Sequence, residues 1–288
     1  MRILVTGASG FLGRSVLPEL LRRGHHPVAL TRSRVAAQTV TSLGAEVTWG
    51  DLDDPASLDA AFCGSGADSL ANLASLGFGH APAVIAAAEE AGITRAVFIS
   101  TTAIFTSLPA RSLATRTSAE ATIQSAQLHW TILRPTMIYG RPGDRNMHRL
   151  LRFVRRSPLV PLPGGGHRLI QPVHVDDIAG FVALALERED TVGQSYTLAG
   201  PEALSLREVV EAAGRATDRR PLLVTVPLRP AITAVRIYEK TTRNPRLKVE
   251  QLLRLNEDKA FAIDPAREVG FAPRSFADGI AAEASLLR

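Results

Sequence analysis

The sequence has a single cysteine, Cys63, and no run of apolar residues near the roughly 20 that a membrane-spanning helix needs. A lone cysteine can form no disulfide within the chain, and no second cysteine lies near it to share a metal ion. We therefore expect Cys63 to be a small buried or half-buried side chain. The first residues resemble a strand rather than a secretion signal. These absences predict a soluble, cytoplasmic protein that does not span a membrane.

Basic runs and histidine clusters are also missing. The net charge is +5 and the pI about 10.0, but the positive charge is nearly all arginine, scattered among acidic residues. Nucleic-acid surfaces more often show basic runs interleaved with aromatic residues, and aromatic residues make up only 5% of this chain. No histidines are spaced as metal ligands are. We therefore predict no nucleic-acid partner and no metal, and expect a small-molecule substrate and a monomer or homodimer.

The first half of the sequence alternates short apolar runs with amphipathic stretches. This alternation is typical of a parallel sheet whose two faces are both covered by helices. The sequence thus predicts an α/β protein with a Rossmann-type doubly wound parallel sheet. The predicted strands are residues 3–6, 27–30, 46–49, 69–73, 96–100 and 131–133, with a further one at 195–199.

After Arg134 and Pro135 the alternation gives way to loops rich in glycine and proline, which flank one short helix. A smaller C-terminal lobe therefore starts near this point, with loops expected at residues 140–144 and 161–166. The strand at 195–199 follows a helical stretch, which indicates that the chain returns once to the sheet. We predict a Rossmann core of residues 1–140 and about 171–200, and a substrate lobe of about 141–170 and 201–288.

The first predicted strand runs into Gly7, Gly10 and Gly13 at the spacing G-x-x-G-x-x-G, and a helix follows. Gly7 permits a tight turn, Gly10 lets the backbone approach a pyrophosphate, and Gly13 allows the helix to pack close to the strand. The free N–H groups and the dipole of the helix N-terminus then favour an anion. A strand before, a helix after and a second strand about 20 residues on complete the expected context. The sequence therefore predicts that the core binds a dinucleotide cofactor.

The end of the second predicted strand bears on which dinucleotide is bound. Sites that prefer NAD(H) place an acidic residue there to hold the ribose 2′-hydroxyl group, whereas this chain has Thr31 and Arg32. Since an arginine can pair with the 2′-phosphate of NADP(H), we expect NADP(H) rather than NAD(H), although Arg32 could also be a solvated surface residue. Asp51 and Leu52 are placed to touch the adenine, and Asp51 could equally cap the turn before Pro55.

Five stretches of the sequence resemble a known family: the turn at 7–13 and the segments at 50–52, 96–100, 132–135 and 172–178. Together they resemble the atypical and extended short-chain dehydrogenase/reductases, most of all the NmrA-like and complex I accessory-subunit-like branch. The resemblance implies a Rossmann fold, a nicotinamide dinucleotide and oxidoreductase chemistry. The residues expected to contact the cofactor are Gly7, Ser9, Gly10, Phe11, Leu12, Gly13, Thr31, Arg32, Asp51, Leu52, Leu73, Ala74, Pro135 and Ile138.

Active members of that family use a serine or threonine after the fifth strand and a Tyr-x-x-x-Lys motif on the next helix, where the tyrosine is the acid and base. Matching this chain to the pattern puts Ser112 at the tyrosine position and Arg116 at the lysine position. Thr102, or its neighbour Thr101, matches the serine or threonine position. Arg116 could still hold a ribose, but a serine without a base is a poor proton donor. Tyr139 is the substitute candidate, or else packs its ring against the wall between the lobes.

We therefore expect an NADP(H)-dependent oxidoreductase of the reductase, dehydrogenase or epimerase type, with hydride transfer in the cleft between the lobes. The helix face that carries Arg149, Arg152 and Arg156 has two possible roles. If it borders that cleft, its positive charge suits an anionic small-molecule substrate, and if it does not, it is a solvated surface. The missing Tyr and Lys leave two alternatives open. One is a non-catalytic dinucleotide-binding sensor or assembly factor, and the other is a non-redox enzyme that performs an elimination or cyclisation.

Overall fold

A computed structural model describes residues 1–108, 112–144, 146–243, 249–254 and 257–287. The chain divides into two compact units, each made of segments that are separate in the sequence. Unit 1 consists of Met1–Thr136, Val175–Leu198 and Ile263–Ala272. Unit 2 consists of Met137–His174, Ala199–Ala262 and Pro273–Arg288.

Strands and α-helices are numbered along the whole chain. The strands are β1 (Arg2–Thr6), β2 (His26–Thr31), β3 (Glu46–Trp49), β4 (Ser69–Asn72), β5 (Arg95–Ile99), β6 (His129–Pro135), β7 (Ile138–Tyr139), β8 (Leu159–Pro163), β9 (Leu169–Ile170), β10 (Val173–His174), β11 (Gln194–Leu198), β12 (Leu204–Ser205) and β13 (Leu222–Val226). The helices are α1 (Gly13–Arg22), α2 (Arg34–Thr41), α3 (Pro55–Ser65), α4 (Ala81–Glu90), α5 (Leu113–Gln124), α6 (Met147–Arg156), α7 (Val175–Glu187), α8 (Leu206–Ala216), α9 (Leu228–Thr241), α10 (Val249–Arg254), α11 (Asp264–Glu268) and α12 (Phe276–Ser285).

Unit 1 is built on a seven-stranded parallel sheet in the order β11-β6-β5-β4-β1-β2-β3. The order runs outward from β1 in both directions, so the direction of winding reverses between β1 and β4. In such sheets the loops that follow the carboxyl ends of the strands at this reversal form the usual ligand-binding edge. The predicted Rossmann-type fold is confirmed, and every predicted strand is present within two residues of its expected bounds.

The sheet of unit 1 is covered on both faces. Ile3, Leu4 and Val5 of β1 are all inaccessible to solvent, and because successive strand residues point to opposite faces, both faces must be packed against helices. On one face Leu4 shares a core with Leu58 of α3 and Val84 of α4. This burial makes β1 a rigid support for the turn that follows it.

Signals in the sequence set the ends of α3. Asp54 caps the helix by accepting the N–H of Ser57 at 3.3 Å, and Pro55 takes the first helical position, where no N–H is needed. Gly66 follows its last turn with φ of +59°, a left-handed conformation that glycine adopts without strain. Cys63 lies on the exposed side of this helix, so the expectation that it is buried or half-buried is wrong.

The described residues of unit 2 contain three separate pairs of strands, β7 with β10, β9 with β12 and β8 with β13. The expectation of a loop at 161–166 is wrong for its first half, since Pro161–Pro163 belongs to β8. A strand with two prolines is possible here because β8 and β13 form a ribbon of only two strands. A proline, which has no backbone N–H, can face the outer edge of this ribbon, where no N–H donor is needed. The short helix expected in this region is α6.

The division into units also corrects the predicted domain ranges. The predicted lobe included all of 201–288, but Ile263–Ala272 returns to unit 1, where Phe271 packs edge-on against Phe181 with ring centroids 5.2 Å apart. On α6, Arg149, Arg152 and Arg156 are all exposed, which fits a solvated face. Phe153, between two of these arginines, is itself 45% exposed. A substrate-binding role for unit 2 stays a prediction.

Unit 2 buries a carboxylate on α12. Glu283 is inaccessible to solvent, and one of its oxygens accepts the N–H of Gly140 at 3.0 Å while the other lies 3.5 Å from Nδ1 of His148. Asp144 lies nearby and accepts the N–H groups of residues at the start of α6. Burial, together with repulsion by Asp144, raises the pKa of Glu283 to about 7.

Candidate cofactor-binding site

The turn after β1 requires glycine at its first position. Gly7 has φ of +65°, and a Cβ atom there would lie 2.8 Å from the backbone nitrogen of Ala74 and 2.9 Å from the carbonyl carbon of Leu73. Both contacts are with backbone, which cannot rotate away as a side chain can. The turn therefore lies directly against the loop after β4, so that the two loops at the reversal of the sheet meet.

The other two glycines hold the turn against α1. The N–H of Gly10 donates to the carbonyl oxygen of Gly7 at 3.0 Å, and Gly10 is exposed. A Cβ on Gly13 would lie 2.5 Å from the carbonyl carbon of Ala8 and closer still to its oxygen. The first turn of α1 thus packs on the turn itself, while the backbone at Gly10 stays open to a ligand.

The N-terminus of α1 has the features of an anion site. Within the described residues no side chain caps this helix and no acidic residue lies in its first turn. The N–H groups of Arg14 and Ser15 already donate to the carbonyl oxygens of Gly10 and Leu12, so an external acceptor would meet the N–H groups that precede them in the turn, at the positive end of the helix dipole. Arg14 lies in that first turn, where its Nε donates to the carbonyl oxygen of Ser9 at 3.0 Å. The helix dipole disfavours a cation at this end unless an anion is also present. Arg14 was not predicted from the sequence, although its position one residue after the glycine pattern was a usable signal.

A buried polar network fixes the end of β4. The hydroxyl of Thr6 donates to the side-chain oxygen of Asn72 at 2.6 Å and accepts the N–H of Ala74 at 3.3 Å. The side-chain amide of Asn72 donates in turn to the carbonyl oxygen of Ala74 at 3.4 Å. Since buried polar groups are costly unless paired, this network rigidifies the segment that contacts Gly7. Neither Thr6 nor Asn72 was singled out from the sequence.

The end of β2 presents an exposed cation beside two acids. Arg32 is 67% exposed, and its Nη1 lies 3.4 Å from Asp51 and 3.6 Å from Asp53. Exposed pairs at these distances are weak, so a stronger anion can displace the carboxylates. The hydroxyl of Thr31, which is buried, has no hydrogen-bond partner within the described ranges.

Asp51 takes part in the loop after β3 rather than in a helix cap. Its N–H donates to the hydroxyl of Ser57 at 2.9 Å, and its carboxylate accepts the N–H of Asp53 at 3.2 Å. The carbonyl oxygen of Asp51 also accepts the N–H of Asp54 at 3.1 Å, so Asp51 does cap the turn before Pro55, as the alternative expected, while Asp54 caps α3 itself. Leu52 is half-buried against the core of unit 1.

The candidate catalytic residues of unit 1 lie in two places, Thr101 and Thr102 just after β5, and Ser112 and Arg116 at the start of α5. The hydroxyl of Thr101 accepts the N–H of Ala103 at 3.2 Å, whereas the hydroxyl of Thr102 is buried and donates to the carbonyl oxygen of Pro135 at 3.4 Å. The latter contact is long and thus easily exchanged. The two hydroxyl groups therefore differ: that of Thr101 is half-buried and accepts a local bond, whereas that of Thr102 is buried and donates.

Ser112 and Arg116 lie together beside the loop after β4. A Cβ atom on Gly77 would lie 3.4 Å from the Cβ of Ser112 and 3.1 Å from Nε of Arg116. The i, i+4 spacing of the two residues puts them on one side of the first turn of α5. The match of these residues to the family's Tyr-x-x-x-Lys positions, and their roles, stay predictions.

Tyr139 lies in unit 2, and its surroundings favour packing over catalysis. It is 1% exposed, with its ring centroid 5.4 Å from that of His174 and 5.2 Å from that of Phe276. Gly279 faces its hydroxyl so closely that no Cβ would fit between them. A proton donor must reach the substrate, so this burial argues against the predicted role of Tyr139. Ile138, its neighbour in β7, also belongs to unit 2.

The residues at the strand ends of unit 1 fit a dinucleotide. The exposed backbone at Gly10 and the uncapped start of α1 suit a pyrophosphate, and the orphaned hydroxyl of Thr31 with the exposed Arg32 suits a ribose and its substituent. In the part of the chain that the structure describes, no group of His, Cys, Asp and Glu is arranged to hold a metal ion, and no helix is both long and apolar enough to cross a bilayer.

A family model described as NAD(P)H-binding matches residues 7–189, well over half of the chain. The chain belongs to this NAD(P)-binding family of atypical, NmrA-like short-chain dehydrogenase/reductases. The match begins at Gly7 and includes the loops after all the sheet strands of unit 1 except β11. Membership of this family gives the chain a nicotinamide dinucleotide as its cofactor class.

Two curated reductases are similar over nearly the whole chain. A 4-hydroxy-2-methyl-3-oxo-4-farnesyl-3,4-dihydroquinoline-1-oxide ketoreductase of Stigmatella aurantiaca is 29% identical, over 95% of this chain and 92% of its own. A 2-alkyl-3-oxoalkanoate reductase of Stenotrophomonas maltophilia is 28% identical, over 95% of each chain. Together with the family match, these names support an oxidoreductase.

Solved structures support the fold independently. The UDP-glucose 4-epimerase of Thermus thermophilus, solved with NAD, aligns over 99% of this chain and 98% of its own, with a TM-score of 0.75. The two sequences are 22% identical, so this likeness concerns the fold alone.

Proposed function

We propose that this protein is an NADP(H)-dependent reductase that converts a ketone to an alcohol. The observation that carries the proposal is the glycine turn and uncapped α1, which lie at the reversal of the sheet beside the exposed Arg32. A 2′-phosphate carries close to two negative charges and accepts several charge-assisted hydrogen bonds, whereas the carboxylates beside Arg32 hold it only weakly. The phosphate is therefore the better partner for this arginine.

The test of this selectivity is Arg32→Ala, measured by calorimetric titration with NADPH and with NADH. We expect the Kd for NADPH to rise roughly 10- to 100-fold, because one charge-assisted contact with the 2′-phosphate is lost. The Kd for NADH should hardly change, since NADH has no phosphate at that position. A larger rise for NADPH than for NADH is thus the signature of the proposed contact.

A matched control is Arg22→Ala, because Arg22 is also 67% exposed and also pairs with an acid, but lies at the far end of α1. This variant should bind both nucleotides as the unaltered protein does. Equal weakening of NADPH and NADH by Arg32→Ala would contradict the proposed selectivity while leaving the cofactor site intact. Failure of the unaltered protein to bind either nucleotide would remove the reductase proposal altogether.

The substrate class is proposed from the two curated relatives. The names of both describe a compound with a 3-oxo group and, on an adjacent carbon, a hydrocarbon substituent, which is farnesyl in one and alkyl in the other. We propose that this chain likewise reduces a ketone that bears a long hydrocarbon group beside the carbonyl. A screen of 2-alkyl-3-oxo acids with NADPH, with a sugar nucleotide included for epimerisation, tests this class directly.

The chain's own residues would orient the ketone and its cofactor. When bound, the reduced nicotinamide supplies a hydride to the carbonyl carbon. The hydroxyl of Thr102, released from its long contact with Pro135, would donate a hydrogen bond to the carbonyl oxygen and stabilise the negative charge that develops there. Arg116 would hold the hydroxyl groups of the nicotinamide ribose. The burial of Tyr139 leaves solvent as the source of the proton that completes the alcohol.

Thr102→Val should lower kcat about tenfold, because one hydrogen bond from an uncharged hydroxyl to the developing oxyanion is worth about 1.4 kcal/mol. Valine keeps the shape of threonine, so the Kd for NADPH should stay unchanged. Thr117→Val on α5 is the control, since the hydroxyl of Thr117 only bonds back to Leu113 within its own helix. An unchanged kcat in Thr102→Val would exclude this role for Thr102.

The second candidate function is a non-catalytic dinucleotide-binding protein, favoured by Ser112 and Arg116 at the Tyr and Lys positions. In that case NADPH would bind and raise the Tm, yet no ketone or sugar nucleotide would be converted. Product formation without any nucleotide would instead indicate the non-redox alternative. Substrate-dependent oxidation of NADPH, followed by its absorbance, decides for the reductase.

A further inference from the structure

The charge of the chain is divided unequally between its two units. Unit 2 contains 21 Lys and Arg residues against 11 Asp and Glu residues, a net charge of +10. Unit 1 contains 12 against 17, a net charge of −5. The positive charge is therefore not evenly scattered, as the sequence alone suggested, and unit 2 attracts anionic surfaces.

One face of the ribbon that β8 and β13 form in unit 2 is apolar and exposed. Its residues are register partners, Leu159 with Leu222 and Pro161 with Val224, and partners point to the same side of a sheet. Leu222 is 64%, Leu159 49% and Val224 42% exposed, whereas the intervening Val160 is buried in the core of unit 2. This ribbon face consists of Leu159, Pro161, Leu222 and Val224.

Helix α9, which starts two residues after the ribbon ends, is equally unusual because none of its residues is buried. At helical spacing it presents two exposed stripes. The apolar stripe consists of Ala234, Ile237 and Tyr238, of which Ile237 is 58% exposed. The basic stripe consists of Arg229, Arg236 and Lys240.

Exposed apolar side chains beside exposed cations are the combination that an anionic bilayer surface accepts. Apolar residues enter the boundary of the acyl chains while cations stay at the lipid phosphates. A nucleic acid would neutralise the cations but leave the apolar residues in water. A second copy paired about a two-fold axis would bring one unit of net charge +10 against another, which repel.

We propose that unit 2 binds the surface of an anionic lipid bilayer through the ribbon face and α9, without crossing it. The cations of α9 attract the lipid headgroups, and the ribbon face supplies the apolar contact. The inference does not depend on the proposed reductase activity, since binding to lipid is measured without turnover. It would nevertheless place a reductase where ketones with long hydrocarbon groups collect.

The experiment is flotation of the full chain with vesicles of phosphatidylcholine alone or mixed with phosphatidylglycerol. We expect the protein to float with the mixed vesicles at low salt and to be released progressively as salt is added. Vesicles of phosphatidylcholine alone should retain little protein. Equal binding to both kinds of vesicle, or to neither, would overturn the proposal.

Two variants separate the contributions of charge and apolar area. Replacement of Arg229, Arg236 and Lys240 together by Gln should lower the partition coefficient at least about tenfold, because each cation near an anionic surface contributes to binding. Replacement of Leu222 and Val224 together by Ser should lower it to a similar extent at low salt, where the unaltered protein is bound. These five side chains are exposed, so the variants should fold.

The matched controls lie in unit 1. Val35→Ser removes an apolar side chain that is 73% exposed, and Arg22→Gln removes an exposed cation. Both should float as the unaltered protein does, and a loss of binding in them equal to that in the unit 2 variants would overturn the proposal. So would a dimer that Leu222→Ser dissociates, or a duplex DNA that displaces the protein from mixed vesicles.

Discussion

Replacing Gly13 by alanine is expected to weaken the binding of NADPH about 100-fold, the loss of two hydrogen bonds of about 1.5 kcal/mol each. The added Cβ would lie 2.5 Å from the carbonyl carbon of Ala8, and its three nearest atoms are all backbone atoms of Ala8. Helix α1 must therefore move away from the turn, which carries its N–H groups off the pyrophosphate. The same overpacking should lower the free energy of unfolding by roughly 1 to 3 kcal/mol.

The controls for this variant are two helical glycines with open space around them. A Cβ on Gly64 of α3 or Gly180 of α7 would meet nothing within 4 Å. Alanine at either position should bind NADPH normally and stabilise the fold by about 0.5 to 1 kcal/mol, because alanine is the better helix former. Normal NADPH affinity in Gly13→Ala, measured by titration calorimetry, would show that the turn does not seat the pyrophosphate.

Glu283→Gln should raise the free energy of unfolding by about 2 to 3 kcal/mol at about pH 8, and have little effect at about pH 5. The pKa of Glu283 is raised from 4.5 to about 7, because burial and the neighbouring Asp144 disfavour its charge. The folded state therefore holds a proton that the unfolded state has lost, so stability falls as pH rises from about 4.5 through 7. Glutamine keeps an acceptor for the N–H of Gly140 and carries no charge.

Urea unfolding at a series of pH values measures this effect. Between about pH 5 and 8 the unaltered chain should lose stability that the variant keeps, and the difference between the two curves isolates Glu283. Glu211→Gln, at an exposed position on α8 of the same unit, should leave the pH dependence unchanged. Parallel curves for Glu283→Gln and the unaltered chain would show that folding does not raise the pKa of the Glu283 carboxyl group.

The parts of the molecule that the sequence predicts correctly depend on local chemistry. The strands of unit 1 are continuous apolar runs because they are buried on both faces, and such runs are visible without a partner strand. The turn at Gly7 is recognisable because its conformation needs glycine at fixed spacings. The cap at Asp54 and the stop at Gly66 depend on neighbours within a few residues.

The parts that the sequence misses depend on contacts between distant segments. Nothing near Glu283 in the sequence reveals that it meets Gly140, some 143 residues away. Strand β8 contains prolines that indicate a loop, and only its pairing with β13 makes it a strand. The burial of Tyr139 likewise comes from Phe276 and Gly279 of α12, which sequence patterns cannot bring to it.

The interleaving of the two units has a consequence for synthesis of the chain. The edge strand β11 joins β6 only after all of the intervening segment of unit 2 has been made, and Ile263–Ala272 arrives later still. Domains generally fold as they emerge from the ribosome, N-terminal part first. Here the nascent N-terminal half lacks its last strand and α7, so the edge of the sheet at β6 stays unpaired while the intervening segment is made. Maturation of the cofactor-binding unit is therefore completed only after Ile263–Ala272 has been made.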